Sequence, residues 1–103
     1  ETPVIVMDEP VNGLDFGNQV RLLEIVRSLA DDGLAIIKST HFPEHALMCA
    51  DRAVLIYEGK LLADGLPCDT INPANMKKIY NIDIRMMDLP DGTLSCRPEI
   101  NVS

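Results

Sequence analysis

Two adjacent carboxylates, Asp8 and Glu9, directly follow the apolar run Val4–Met7, and a third, Asp15, closes the turn after them. Unpaired carboxylates at the end of a buried strand cost several kcal/mol unless a cation or hydrogen bonds compensate. Successive side chains of an extended chain point to opposite faces, so one acid can hold a cation while the next faces a separate reactant. The pair indicates a divalent-metal site or acid–base chemistry, although alone it also fits an acidic turn that caps a helix.

The elements that must position these acids alternate between strand and helix. The patterns predict strands at residues 4–7, 34–38 and 53–57 and helices at residues 17–31 and 43–50. The first helix is expected to bury an apolar stripe made of Leu22, Ile25, Val26 and Leu29. This order predicts an α/β fold in which a parallel sheet with right-handed crossovers is flanked by helices. Such folds bind ligands at the carboxyl ends of their strands.

A second region follows Gly65. Just before it, residues 60–63 are predicted to turn back after Glu58 and Gly59 and to form a hairpin with the strand at residues 53–57. Beyond that point the patterns predict a helix at residues 73–80 and a strand pair at residues 82–87 and 93–96. We therefore expect a core of residues 1–65 and a small carboxyl-terminal α+β extension of residues 66–103.

The amino-acid composition excludes some kinds of binding partner. The sequence has 103 residues, a formal net charge of −7 at pH 7 and 47% apolar residues. The acidic balance, without a clustered basic face, argues against nucleic acid or an anionic membrane surface as the partner. No apolar run approaches the roughly 20 residues that span a bilayer. The three cysteines are odd in number and lack metal-ligand spacing, which fits a reducing compartment.

Five segments of the sequence carry a family resemblance. The segment VIVMDEPVNGLD, from Val4 to Asp15, resembles the Walker B motif and D-loop of an ATP-binding-cassette (ABC) ATPase, and Ser39-Thr40-His41 is similar to the segment that carries its switch histidine. More narrowly, LDFGNQ at residues 14–19, FPEHA at residues 42–46 and ADR at residues 50–52 resemble the subunits that energise uptake of iron-siderophore complexes, haem or cobalamin. The match extends over nearly the whole chain.

This resemblance implies roles for individual residues. Asp8 would hold Mg²⁺ through water, Glu9 would act as the general base on the attacking water, and His41 would contact the γ-phosphate of ATP and orient that water. Asp15 would communicate across an ATP-sandwiched dimer. His45 is expected to be an ordinary surface residue of its helix. The implied cofactors are ATP and Mg²⁺, and the implied fold is part of a P-loop NTPase sheet.

The resemblance also implies partners and a location. The intact subunit would hydrolyse ATP as a homodimer beneath two membrane permease subunits and would drive import of an iron chelate or related metallo-compound. It would be cytoplasmic and peripheral to the inner face of the plasma membrane.

Several motifs of the family do not occur in the sequence. It has no GxxxxGK[ST] phosphate loop, glutamine loop or LSGGQ-like segment, all of which precede Walker B in the family. We expect a carboxyl-terminal fragment that is inactive alone and self-associates to cover its exposed apolar faces. Four positions depart from the commoner family pattern, namely Val11, Asn12, Gly13 and Phe42. None of them removes a group with a direct chemical role.

Two other readings fit part of the pattern. A non-transport ABC-type ATPase would share the motifs, but the stretch at residues 14–19 and the acidic charge favour transport. A two-component receiver domain also has a strand that ends in a Mg²⁺-binding acidic cluster. That fold needs a phosphoacceptor Asp at the end of a later strand, where this sequence has Glu58.

Overall fold

The computed structural model describes residues 3–100. The elements of that range are, in chain order, β1 (Val4–Met7), α1 (Phe16–Asp31), β2 (Ala35–Lys38), α2 (Pro43–Cys49), β3 (Ala53–Tyr57), β4 (Lys60–Gly65), α3 (Pro67–Thr70), α4 (Pro73–Tyr80), β5 (Ile84–Asp88) and β6 (Leu94–Pro98). They divide into two compact units, and the division along the chain falls between His45 and Ala46. The sequence prediction placed its boundary later, after residue 65.

In the first unit, β1 and β2 pair in parallel, and α1 makes the crossover between them. The register runs from Val4 opposite Ala35 to Met7 opposite Lys38. The helix begins where the Asp15 carboxylate accepts a hydrogen bond from the backbone N–H of Asn18, at 2.8 Å. This cap satisfies one of the donors that every helix leaves free in its first turn.

The buried face of α1 differs from the predicted stripe. Leu23 and Val26 are buried, whereas Ile25 is 55% exposed. Because α1 carries apolar residues on more than one helical row, its pattern leaves open which row faces inward. The prediction was right for Val26 and wrong for Ile25.

One face of the β1–β2 pair is open to solvent. Ile5 and Ile36 are half-buried on one face, while Val4, Val6 and Ile37 on the other face are exposed. The strands therefore carry apolar side chains on both faces, as strands do when both faces of a sheet are covered.

The second unit begins within α2, at Ala46, and contains two hairpins and the short helices α3 and α4. β3 and β4 pair antiparallel around Glu58 and Gly59, whose φ angles of 51° and 73° are those of a tight hairpin turn. The core of this second unit contains Ile71, Met76 and Ile84. Antiparallel β5 and β6 complete the unit.

The predicted α/β class is confirmed, as are the parallel pairing of β1 with β2 and the hairpin of β3 with β4. Among residues 3–100, β1 and β2 are the only parallel pair, and β3, which was also expected to join a parallel sheet, pairs with β4 alone. The two-residue turn after β3 makes that local pairing inexpensive in loop-closure entropy. The short helix α3 is an additional element that the sequence prediction lacked. Across residues 3–100, no helix is long and apolar enough to cross a membrane.

Candidate functional site

The residues that follow β1 and β2 meet at one edge of the parallel pair. Met7 and Lys38 are in register, and the backbone N–H of Ser39 donates to the carbonyl of Met7 at 3.1 Å. Asp8 and Glu9, which follow β1, therefore lie beside Ser39, which follows β2. Parallel strands end at the same edge, so the alternation of strand and helix brings these residues together.

Ser39 joins the two acids through a single hydroxyl. Its Oγ donates to Asp8 Oδ1 at 2.5 Å and accepts from the backbone N–H of Glu9 at 2.9 Å. Sequence reasoning did not assign this residue a role. The register of β1 and β2 could have indicated this role. Met7 pairs with Lys38, so the residues that follow them, Asp8 and Ser39, are expected to be neighbours.

The Glu9 side chain has a described partner on each oxygen. Oε1 contacts Nε2 of His41, and Oε2 accepts from Nδ2 of Asn12 at 2.6 Å. The His41 side chain is 68% exposed and that of Glu9 is 29% exposed. Asn12, which the sequence analysis noted only as a departure from the family pattern, is thus part of the site. A carboxylate held from both sides has a defined orientation.

The backbone of Glu9 is left-handed, with φ at 45°. This conformation costs an L-residue with a side chain of ordinary size roughly 1–2 kcal/mol. It redirects the chain immediately after β1, where the Asn12 N–H donates to the carbonyl of Glu9 at 3.1 Å. Strain of this kind persists where surrounding contacts enforce it, and it clusters at functional sites.

The structure brings together three of the four predicted site residues. Asp8, Glu9 and His41 are linked by direct contacts through Ser39 and the Glu9 carboxylate. The described side-chain contact of Asp15 is instead the cap of α1. Its position at the start of the helix supports a structural role, and its predicted role between subunits stays a prediction.

The donor set at Asp8 fits the kind of Mg²⁺ site found in nucleotide-hydrolysing proteins. Asp8 is exposed, and only its Oδ1 is used by Ser39. Among residues 3–100 no group of three or more His, Cys, Asp or Glu side chains is arranged to hold a metal. Protein Mg²⁺ sites of this class use one or two carboxylates and complete the shell with water and substrate phosphates. Asp8 would be the protein carboxylate of such a site.

His45 differs from its predicted surface position. It is half-buried on α2, its ring centroid lies 4.8 Å from that of Phe42, and its Nδ1 is buried without a hydrogen-bond partner in the part of the chain that the structure describes. Burial lowers the pKa of His45, the positive charge of Lys38 lowers it further, and Glu44 acts in the opposite direction. The folded chain therefore favours the neutral imidazole.

This environment predicts a pH-dependent stability. As the pH falls, the unfolded chain protonates His45 before the folded chain does. The free energy of unfolding should therefore stay constant at pH values above the ordinary histidine pKa of about 6.5. It should decrease as the pH falls below that value toward the lower pKa of His45 in the folded state. Denaturant unfolding from about pH 7.5 to about pH 5.5 measures this slope. His45→Gln should reduce it, and equal slopes in both proteins would contradict the prediction.

Comparison with known proteins shows which proteins the chain is related to. No family model matches the chain. The vitamin B12 import ATP-binding protein BtuD of Escherichia coli O45:K1 (strain S88) is 38% identical over 86 residues, which cover 84% of this chain and 34% of that protein. BtuD of Escherichia coli O157:H7 matches with the same identity and coverage. The chain is a homologue of ABC-transporter ATP-binding subunits. It spans about a third of the length of these curated relatives.

Solved structures support the ABC ATPase fold. A putative metal-chelate type ABC transporter in an inward-facing conformation aligns with a TM-score of 0.82 and 19% identity, over 94% of this chain and 40% of that one. The cbiO1 protein of Clostridium perfringens, part of the ABC transporter complex cbiONQ, aligns with a TM-score of 0.61 and 23% identity, over 76% and 32% respectively. The α/β arrangement described above is thus that of the corresponding portion of ABC ATPases.

Proposed function

We propose that this chain supplies the Walker B, D-loop and switch-histidine portion of an ATP-hydrolysing subunit that energises an ABC importer. The observation that carries the proposal is the contact between Glu9 and His41 beside Asp8, at the carboxyl edge of two parallel strands. The homology to ATP-binding subunits of vitamin B12 import supports it.

Each residue has a distinct task in this proposal. Asp8 would hold Mg²⁺ through water, and the ion would supply positive charge that neutralises the phosphates of ATP. Glu9 accepts a proton from the attacking water. Its two oxygens contact His41 and Asn12, and because each carboxylate oxygen can accept a second hydrogen bond, the water can bind while both contacts remain. His41 then orients the water and contacts the γ-phosphate, and Asp15 acts across the dimer.

The proposed cargo is an iron chelate or a related metallo-compound. Relatives are named for import of vitamin B12, and a structural neighbour is described as a metal-chelate type transporter. The subunit would work as a homodimer against membrane permease subunits at the cytoplasmic face of the plasma membrane.

A hybrid subunit tests this proposal. In the hybrid, this sequence replaces the matched 86-residue segment of BtuD from Escherichia coli O157:H7. We expect the hybrid to bind ATP and hydrolyse it, and to lose hydrolysis when Asp8 is replaced by alanine. A folded hybrid that binds ATP but hydrolyses none would contradict the proposal. Hydrolysis without vitamin B12 uptake alongside the cognate permease would favour the non-transport alternative.

Self-association of the chain alone is a separate prediction. The open face of the β1–β2 pair exposes Val4, Val6 and Ile37 by 58%, 73% and 62%. Exposed apolar faces and unpaired strand edges favour association. We expect light scattering at dilute concentration to report an oligomer and Val6→Lys to shift it toward monomer. Ser28→Lys, which adds the same charge on α1, is the control. A monomeric wild-type chain with a cooperative thermal transition would refute the prediction.

A further inference from the structure

We propose that Ser39 is a positioning residue that fixes the relative placement of Asp8 and Glu9. This inference rests on the proposed function, because it assigns Ser39 a part in the same site. Ser39 acts through the two acids.

The directions of the hydrogen bonds at Ser39 follow from the donors present. The backbone N–H of Glu9 can only donate, so the Ser39 Oγ accepts it at 2.9 Å. The one hydroxyl proton is then available for Asp8 Oδ1, which lies at 2.5 Å. This length is typical of a hydroxyl that donates to an ionised carboxylate. A single side chain thereby holds one acid by its carboxylate and the next by its backbone.

Each hydrogen bond restricts one of the acids. The bond to Oδ1 sets the rotation of the Asp8 carboxylate and leaves Oδ2 for the hydration shell of a cation. The bond from the Glu9 N–H helps to hold its backbone at φ 45°, the conformation in which its carboxylate reaches His41 and Asn12. Loss of the hydroxyl should therefore loosen both carboxylates together.

A matched pair of variants isolates the hydroxyl. Ser39→Thr keeps the hydroxyl and Ser39→Val replaces it with a methyl group, whereas both side chains are β-branched and of similar volume. Because Ser39 is exposed, neither variant introduces bulk into a core. Ser28→Ala on α1 is the control for loss of an exposed hydroxyl elsewhere in the chain.

The first measurement uses the chain alone and needs no nucleotide. We expect hydrogen exchange at the Glu9 amide, followed by NMR, to be on the order of tenfold faster in Ser39→Val than in wild type. Ser39→Thr and Ser28→Ala should retain the wild-type rate. Equal exchange at Glu9 in Ser39→Thr and Ser39→Val would overturn the inference.

The second measurement uses the hybrid subunit. Ser39→Val should lower kcat for ATP hydrolysis about tenfold or more with little change in KM, because misplaced acids weaken the chemical step more than binding. Ser39→Thr should restore most of the activity. Unchanged kcat in Ser39→Val, together with loss of hydrolysis in Asp8→Ala, would refute the role of Ser39 and leave the proposed function standing. Full activity in Asp8→Ala would instead refute the proposed function, whatever the exchange rates at Glu9.

Discussion

Replacing Glu9 with glutamine in the hybrid subunit is expected to abolish ATP turnover while ATP binding is preserved. The amide keeps the shape of the side chain and its capacity to contact His41 and Asn12, but it has lost the basicity needed to accept a proton. General-base catalysis typically contributes about 10²- to 10⁴-fold, so we expect a loss of at least about 100-fold in kcat. Steady-state hydrolysis and equilibrium nucleotide binding measure the two effects separately.

Three companion variants sharpen this test. Glu24→Gln removes an exposed carboxylate of α1 and should leave turnover unchanged. His41→Ala should also lose turnover, because it removes the described partner of Glu9 Oε1. His45→Ala should mainly alter stability, since that side chain packs on α2 beside Phe42. Equal loss of turnover from both histidine variants would show that their roles are wrongly assigned.

The second large effect concerns the chain by itself. We expect no measurable ATPase activity and a dissociation constant for Mg-ATP on the order of 1 mM or weaker. The sequence has no GxxxxGK[ST] segment, so it lacks the backbone N–H groups and the lysine that cradle the β- and γ-phosphates. Asp8 alone offers one carboxylate to a cation.

Isothermal titration calorimetry with ATP and Mg²⁺ measures this affinity. The hybrid subunit, which keeps the rest of its ATP-binding parent, is the positive control and should bind far more tightly. Micromolar binding by the chain alone that survives Asp8→Ala would contradict the prediction, because it would require a phosphate site that the sequence does not indicate.

The sequence predicted the local elements better than their long-range pairing. The bounds of β3 and α4 were predicted to the residue, because apolar periodicity and a proline near the helix start are local signals. The hairpin of β3 with β4 was predicted, whereas the expected place of β3 in a parallel sheet with β1 and β2 is not seen among residues 3–100. Whether a strand joins a parallel sheet or folds back on its neighbour depends on which other strands are present, and the residues of the strand itself do not carry that information.

The part of the site that could be predicted is the part that lies directly after the carboxyl ends of β1 and β2. The proximity of Asp8, Glu9 and His41 follows from parallel pairing of β1 and β2. The contact of Asn12 with Glu9 could not be predicted in this way. It depends on the left-handed backbone at Glu9, and no propensity rule assigns that conformation to a glutamate.

The left-handed backbone at Glu9 makes thermal stability and catalysis favour different residues at this position. Glycine adopts φ values near 45° without steric cost, and asparagine adopts them more readily than glutamate. Glu9→Gly or Glu9→Asn would relieve about 1 kcal/mol of backbone strain and remove the carboxylate in the same step. A library of the hybrid subunit that is sorted only for thermal resistance should therefore become enriched in substitutions at residue 9, and its most heat-resistant clones would be those least able to hydrolyse ATP.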